Sequence, residues 1–479
     1  MKLTISLLLL FNFFVSLSQE SYGSLHSNYM PTNSVLINPS SILDAKTRID
    51  INIASIGTFL MNNMAFLGNT SLVSYIDDKD YERNLDFTID NTNRKNHLYN
   101  RINFQGPGFV FSQGDHAFGL GLGVKSYNDV RNVPQKVMEA ISSSEIPLNE
   151  AFRAKKMAFT SITYGDIKLS YAHTFYKKKR KLLMGGISLS KFIPIQAFAS
   201  KVDLLEFQVN SDSTGFVGSM NSNTSILSAR RGVFSSGFGI DLGFTYQRMK
   251  YEAYNYYPNS PKSNCRKVYY LYKIGASIMD IGKLKFQQDD LDFEGVEASN
   301  YNWNRETTSD LDINFINQFY EVSTDDESTA FIKNLRKVRL PTYFSLQGDY
   351  NVWGNRFYLN LTAVQRMPLG RKSYGVLRAN SLCLTPRYET KFLEFALPLS
   401  LYEYKTPQIG FTMRLWFLTI GTDKLMTILV DSDVYGADIY FALKVPIVYH
   451  PKCKNGKLDR FNYYPKIFKR NRNGCKMNL

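Results

Sequence analysis

The segment 437–445 places apolar side chains on one side and polar or charged side chains on the other. Every second residue from Ala437 onward is apolar, whereas the residues between them include Asp438 and Lys444. A period of two identifies a β-strand, because successive side chains of a strand point to opposite faces. An unbroken apolar face opposite a charged face is typical of a barrel in lipid, which turns its apolar side chains outward to hydrocarbon.

The same alternation recurs along most of the chain. It is clearest at 237–248, where aromatic and aliphatic residues alternate with glycines and polar residues that include Asp241. Counting such segments gives about 14 strands, with short turns alternating with long loops. The sequence therefore predicts an all-β fold, a single transmembrane antiparallel β-barrel in the bacterial outer membrane with long extracellular loops and short periplasmic turns.

Composition agrees with this prediction. Aromatic residues make up 14% of the chain, as expected where two aromatic girdles border a membrane. No run of about 18 apolar residues follows the N-terminus, which argues against transmembrane helices. The alternative fold is a soluble, secreted all-β protein, whose apolar faces would pack against each other.

The N-terminus has the features of an exported protein. Lys2 precedes an apolar stretch at 3–17, and small residues precede a cleavage site between Ser18 and Gln19. A buried helix or membrane anchor is the alternative. The predicted organisation is a signal peptide at 1–18, a periplasmic leader or plug at 19–47, the barrel at 48–450 and a basic periplasmic tail at 451–479.

Positive charge is concentrated in the tail. Nine Lys and Arg residues and one Asp give 451–479 a net charge of +8, out of +15 for the whole chain. Export removes the chain from nucleic acid, so the expected partners are outer-membrane lipid and proteins of the envelope or of a secretion machinery, reached through the loops and the tail. A merely solvating tail is the alternative. Cys453 and Cys475 either close a loop there or stay free.

Two loop segments are predicted to contain helix. Residues 128–163 have helical character around 133–154, and the insertion at 287–339 has it around 331–338. A long polar loop is predicted after Phe192.

Catalytic signatures are missing from the sequence. The five histidines form no His-Glu-x-x-His motif, and no Gly-x-Ser-x-Gly motif occurs. We therefore expect no enzymatic activity, no metal site and no cofactor.

Four charged residues fall on the inward faces of predicted strands: Asp241, Arg414, Asp438 and Lys444. They would either line a substrate path and set ion selectivity, or pair with one another across the interior, because an unpaired charge in a narrow space is costly. Arg414 and Asp438 lie on nearly adjacent strands, which favours a pair between them.

Two short motifs carry a family resemblance. Asn38-Pro39-Ser40 resembles the Asn-Pro-Ala leader of the FadL-like transporter barrels and of the PorV and PorP/SprF-type proteins of Bacteroidota. The closing segments 421–425 and 436–440 more closely resemble an uncharacterised Bacteroidota barrel family related to PorP. Ser40 departs from the usual alanine, and the transporters have no comparable basic tail.

The resemblance implies one of two functions. The first is a structural or interaction component of the cell envelope, associated with type IX secretion or gliding. The alternative is a FadL-like transporter that moves small hydrophobic molecules through a luminal or lateral gap.

Overall fold

The computed structural model describes most of the chain between residues 21 and 448. The described residues are 21–43, 45–71, 73–74, 87–90, 96–135, 138, 149, 151–210, 214–228, 236–254, 256–263, 269–285, 295–304, 330–331, 337–367 and 375–448. The predicted cleavage site at Ser18 and Gln19, the tail 451–479, and Cys453 and Cys475 lie outside them. Within the described residues, no helix is long and apolar enough to cross a membrane.

Strands dominate the described part of the chain. They are β1 (Ile49–Asn62), β2 (Ala65–Thr70), β3 (Phe87–Ile89), β4 (His97–Gln113), β5 (His116–Arg131), β6 (Ala151–Lys178), β7 (Lys181–Val209), β8 (Thr214–Ser228), β9 (Ser236–Met249), β10 (Tyr270–Lys285), β11 (Gly295–Asn304), β12 (Ala330–Phe331), β13 (Lys337–Arg339), β14 (Tyr343–Trp353), β15 (Phe357–Arg366), β16 (Ser381–Glu389), β17 (Leu393–Ala396), β18 (Leu399–Tyr402), β19 (Thr406–Ile409), β20 (Phe411–Leu415), β21 (Leu418–Thr422), β22 (Ser432–Val434) and β23 (Asp438–Ile447). The helical elements are α1 (Tyr22–Leu25), α2 (Pro31–Ser34) and α3 (Leu425–Leu429), with the 3₁₀ turns η1 (Pro39–Ile42) and η2 (Pro261–Ser263).

Antiparallel pairing closes these strands into a barrel. The order around the wall is β1, β4, β5, β6, β7, β9, β10, β14, β15, β16, β17 with β18, β19 with β20, β21 and β23. The last strand, β23, pairs with β1 from Asp438 opposite Phe59 to Ile447 opposite Ile49. Because β17 and β18 share one position, as do β19 and β20, the wall has 14 strand positions. Its described strands leave no free edge, which confirms the predicted fold.

Side-chain alternation gives the wall an apolar outer face. In β9, Phe238 is 67% exposed and Phe244 is 58% exposed, whereas Asp241 between them is 2% exposed. In β23, Ile439 and Phe441 are likewise exposed. A closed barrel with apolar side chains outward matches the hydrocarbon core of a bilayer, so the protein belongs in the outer membrane rather than in solution.

Two strands extend far beyond the barrel wall. β6 has 28 residues and β7 has 29. β7 pairs with β9 as far as Phe192 and with β8 from Gln196 onward. β8 then pairs with β11, and β11 with β12. We call the part of this sheet beyond the pairing with β5 (residues 151–157 and 202–209 with β8, β11 and β12) the extracellular arm.

Three predictions about loops and helices are wrong. Residues 128–131 and 151–163 are strand rather than loop, with only Gln135 and Met138 described as helical in the segment between. The polar loop predicted after Phe192 is instead the continuation of β7, followed by β8. In the predicted helix at 331–338, Phe331 lies in β12 and residues 337–338 lie in β13. Strands outside a membrane lack a continuous apolar face, so the alternation that identifies a barrel strand fades there.

The leader occupies the barrel interior. Val35, Ile42 and Leu43 pack against inward residues of β4 to β7, including Val110 and Met184. Most residues from 22 to 47 are buried. The lumen is therefore filled by the chain's own N-terminal segment over this depth.

Candidate functional site

The Asn38-Pro39-Ser40 motif fixes the leader to the wall. The Asn38 side chain caps η1, because its Oδ1 accepts hydrogen bonds from Ser40 N at 3.0 Å and Ser40 Oγ at 2.7 Å. Its Nδ2 donates to Gln347 Oε1 at 2.9 Å. Ser40 Oγ also shares a 2.7 Å hydrogen bond with Thr245 Oγ1. The serine that departs from the usual alanine thus adds two contacts that alanine would lack.

Two wall glycines allow this close approach. A Cβ at Gly243 would collide with Asn38, and a Cβ at Gly186 would collide with Pro39 and Ser40. Glycine is therefore needed at both positions for η1 to lie against β7 and β9.

A buried ionic cluster holds the two ends of the leader. Lys46 Nζ lies 2.5 Å from Glu389 Oε1 and 3.0 Å from the hydroxyl of Tyr358. Asn28 Nδ2 donates to the same carboxylate at 3.0 Å. Arg387 Nε lies 3.2 Å from Glu389 Oε2, and both of these side chains are fully buried. Lys46 and Asn28 therefore both contact a wall carboxylate that already has the cation Arg387 beside it.

The uncharged imidazole of His26 forms a hydrogen bond to the wall near this cluster. Burial holds the pKa of His26 well below its ordinary value, and the nearby positive charges of Arg387 and Lys273 lower it further. The neutral ring shares a 2.7 Å hydrogen bond between Nε2 and Thr362 Oγ1.

Asp241 lies inside the barrel with a cation of the wall beside it. Its Oδ2 is 2.5 Å from Lys168 Nζ, and its Oδ1 accepts a 2.7 Å hydrogen bond from Asp280 N. Close by, Lys125 and Asp166 form a second ion pair at 3.0 Å.

Arg414 and Asp438 are buried, but the pair predicted between them is not formed. Arg414 Nε instead lies 2.9 Å from Glu394 Oε2. Asp438 accepts hydrogen bonds from Thr422 Oγ1 at 2.7 Å and from Asp423 N at 2.9 Å. The reason is register: β17 places Glu394 directly opposite Arg414, and β21 separates β20 from β23.

Arg414 contacts the leader through the ring of Tyr29, whose centroid lies 5.1 Å from the guanidinium carbon. Lys444 contacts the leader through hydrogen bonds. Its Nζ donates to Thr32 Oγ1 at 2.6 Å and also to Asn33 Oδ1. Asp50 accepts a 3.1 Å hydrogen bond from Thr32 N, which brings a carboxylate to the same place. The four predicted residues therefore occupy separate parts of the lumen, each with its own polar partners.

Five glycines are clustered where β4 meets β5. The residues that lack side chains there are Gly106 and Gly108 in β4 and Gly119, Gly121 and Gly123 in β5, which we call the glycine window. The β4–β5 register shifts between Gln105 and Gly108, next to Pro107, which has no N–H to donate. Hydrogen-bond pairing is therefore interrupted inside the window.

A cavity lies against this window. Its empty volume is about 510 Å³, counted together with the solvent it opens to. Its lining includes Val35 and Leu36 of the leader and the wall residues Phe109 and Leu122, whose side chains are exposed on the outer face. A Cβ at Gly121 would meet no atom within 4 Å. The cavity is thus lined jointly by the leader and by the strands of the window.

A second cavity lies beside Asn38. Its empty volume is about 580 Å³, and its lining is more polar, with His26, Asn28, Lys273 and Asp349 among the residues. Within the described residues, no group of three or more His, Cys, Asp or Glu side chains is arranged to hold a metal ion.

Several site residues were not identified from the sequence. Glu389 and Glu394 fall on inward positions of β16 and β17, so the alternation that identified Arg414 could also have identified them. Lys46 precedes the first strand, and no local pattern indicates its partner, which is distant in sequence. The glycines of β5 were interpreted only as lumen-facing, and the break beside Pro107 has no periodic signal.

Comparison with known proteins gives a family and a general likeness of fold. A model described as "Family of unknown function (DUF5723)" matches residues 39–423. No curated protein matches the chain. Among solved structures, the Pseudomonas putida toluene transporter TodX shares 10% identity, over 87% of this chain and 95% of that one, with a TM-score of 0.31.

Two further solved structures are similarly distant. A Pseudomonas aeruginosa FadL homologue shares 10% identity over 91% of this chain and 99% of its own, with a TM-score of 0.29. The translocator domain of the autotransporter NalP from Neisseria meningitidis shares 6%, over 83% and 88%, with a TM-score of 0.27. The relationship to PorP/SprF and PorV stays a prediction. The family match covers most of the chain, which therefore belongs to DUF5723, a family of unknown function.

Proposed function

We propose that this outer-membrane barrel passes small apolar molecules between its lumen and the membrane through the glycine window. The observation that carries the proposal is the cavity that contacts leader residues and outward-facing wall residues at an interruption of the β4–β5 ladder. Where inward side chains are missing, main chain and outward-facing side chains such as Phe109 and Leu122 separate the lumen from the membrane. Transport, rather than catalysis, is the role that such a wall would serve.

The surface beyond the cavity suits an apolar substrate. Val35, Ile42 and Leu43 of the leader meet Val110 and Met184 of the wall in one continuous apolar cluster. A neutral apolar molecule moving along this seam would exchange one set of apolar contacts for another, at little cost in free energy.

The charges beside the cavity favour the same class of substrate. Lys125 is paired with Asp166, and Lys168 with Asp241. Because each cation already has an anion beside it, these residues offer an ionic substrate little net attraction.

The test is an uptake assay in cells that do or do not produce the protein. We expect the protein to raise the initial uptake rate of a radiolabelled monocyclic hydrocarbon several-fold and to leave the uptake of glucose unchanged. Equal hydrocarbon uptake with and without the protein would contradict the proposal, and so would a matching rise for glucose, which would indicate an open aqueous pore.

The second candidate is a structural or interaction component of the envelope. The observation in its favour is the extracellular arm, which continues β6 and β7 away from the wall and adds strands to them. A surface of this kind suits docking. Association with type IX secretion or gliding stays a prediction from the family resemblance. Deleting the arm residues 202–221, which leaves the part of β6 that pairs with β5 in place, should abolish docking, while apolar uptake through the window should persist.

A further inference from the structure

A row of basic side chains crosses three neighbouring strands at the periplasmic end of the wall. Lys178 of β6 lies directly opposite Lys181 of β7, and Lys181 lies directly opposite Arg248 of β9. Their strand positions alternate with the buried residues Leu182 and Gln247, so all three side chains face outward. We call these three residues the basic row.

Among the described residues, none of the three side chains of the basic row forms an ion pair with a carboxylate. Glu252 is exposed in the neighbouring loop and is likewise not in an ion pair. Like charges directly opposite each other on adjacent strands repel and destabilise a sheet. The arrangement therefore costs folding free energy unless an anion lies against it.

The turn that carries the row is held in place. Lys179 at the turn has φ 52°, and its carbonyl accepts a 2.8 Å hydrogen bond from Ala253 N. Arg180 O accepts a 2.8 Å hydrogen bond from Met249 N. Lys177, the inward neighbour of the row, is tied to Asp115 at 2.8 Å. The basic side chains thus project from a fixed main chain rather than from a free loop.

Aromatic and aliphatic side chains border the row on its membrane side. Two residues further into the wall, Tyr176, Leu183 and Tyr246 occupy the corresponding opposed positions. Tyr176 is 47% exposed and Leu183 is 39% exposed. Tyrosines at such a border mark the depth of lipid headgroups. The row therefore lies at the level where headgroup phosphates lie.

We infer that the basic row binds the headgroup phosphate of an anionic phospholipid in the periplasmic leaflet. The short turns place this end of the barrel in the periplasm. Charge complementarity selects an anionic headgroup, since basic residues at a membrane surface gain free energy next to anionic lipid. The acyl chain would lie along the outer face, over Leu183 and the exposed ring of Phe244.

The test measures the apparent unfolding temperature of the purified mature chain in maltoside micelles at a fixed scan rate. Dioleoyl phosphatidylglycerol is titrated into one series and dioleoyl phosphatidylcholine into the other. We expect phosphatidylglycerol to raise the unfolding temperature progressively, because a ligand that binds only the folded state stabilises it by mass action. Phosphatidylcholine should produce little or no rise.

The variant Lys178→Gln/Lys181→Gln/Arg248→Gln should lose the phosphatidylglycerol shift. Without lipid it should be at least as stable as the natural chain, because the repulsion within the row is gone. The matched control is Lys155→Gln/Lys156→Gln/Lys405→Gln, which removes the same charge from exposed positions at the extracellular end and should keep the shift.

Two further variants complete the test. Lys178→Arg/Lys181→Arg preserves the charge and should keep the shift, and the single change Lys181→Gln at the centre of the row should weaken it. The inference is overturned if the triple row variant keeps the full shift, or if the two lipids act equally. It is also overturned if inorganic phosphate without lipid reproduces the effect, which would indicate a site for free anions.

Discussion

A few polar contacts to one wall carboxylate help to hold the leader in the lumen. Lys46 and Asn28, near the two ends of the leader, both bond to Glu389. Arg387 Nε lies 3.2 Å from that carboxylate on the wall side. Removing one partner of a buried ion pair costs about 3–5 kcal/mol, because the other charge is left buried. The leader is thus retained by a few polar contacts in addition to its apolar packing.

The variant Glu389→Gln should loosen the leader. We expect single-channel recordings of the mature chain in planar bilayers to show frequent openings in this variant, whereas the natural chain stays mostly closed. Glu403→Gln is the matched control, because Glu403 lies 3.0 Å from Arg366 of the wall and forms no hydrogen bond or ion pair with the leader within the described part of the chain. Identical closed traces from Glu389→Gln and Glu403→Gln would show that this contact does not retain the leader.

For single residues, the sequence predicted which side chains face the lumen but not which residues they pair with. Alternation put Asp241, Arg414, Asp438 and Lys444 on inward positions, because one residue's face depends only on its strand's period. Partners depend on which strands are neighbours and on their register. Arg414 therefore paired with an unexpected residue, Glu394.

Among the elements, the β6–β7 hairpin is the most informative. The half next to the periplasmic turn is part of the barrel wall. The other half extends beyond the wall, where β7 pairs with β8 and β8 pairs with β11. The sequence identified the half in the wall, where apolar residues face lipid. It missed the half beyond the wall, because a strand in water can be polar on both faces and then resembles a loop. The glycine window was missed for a related reason, since a bulge breaks the period that identifies strands.

The two ends of this hairpin should differ in accessibility on intact cells. In a chain whose native cysteines are replaced by serine, Lys155→Cys in the arm should react with a membrane-impermeant maleimide. Lys178→Cys at the periplasmic turn should react only after the outer membrane is permeabilised. Both positions are exposed, so solvent access to the side chain is matched. Labelling of Lys178→Cys alone on intact cells would reverse the orientation of the barrel.

The molecule as a whole combines a closed wall, a filled lumen and one glycine-rich sector. Closure between β23 and β1 leaves the described barrel wall without a free edge, as lipid requires. The leader blocks a straight aqueous path through the middle. In the glycine window, four residues without side chains line a cavity: Gly106, Gly108, Gly119 and Gly121. This combination favours a sideways path for apolar molecules over a vertical pore for ions.

The most direct measurement is hydrocarbon uptake by cells that produce Gly121→Leu. A side chain at Gly121 has room at its Cβ and would project into the cavity. Gly348→Leu in β14 is the control, since a Cβ there has open space on the outward face of the wall, away from the window. We predict that Gly121→Leu lowers the uptake rate several-fold while Gly348→Leu leaves it unchanged, with equal amounts of folded barrel in the membrane. Uptake by Gly121→Leu at the natural rate would contradict passage through the window.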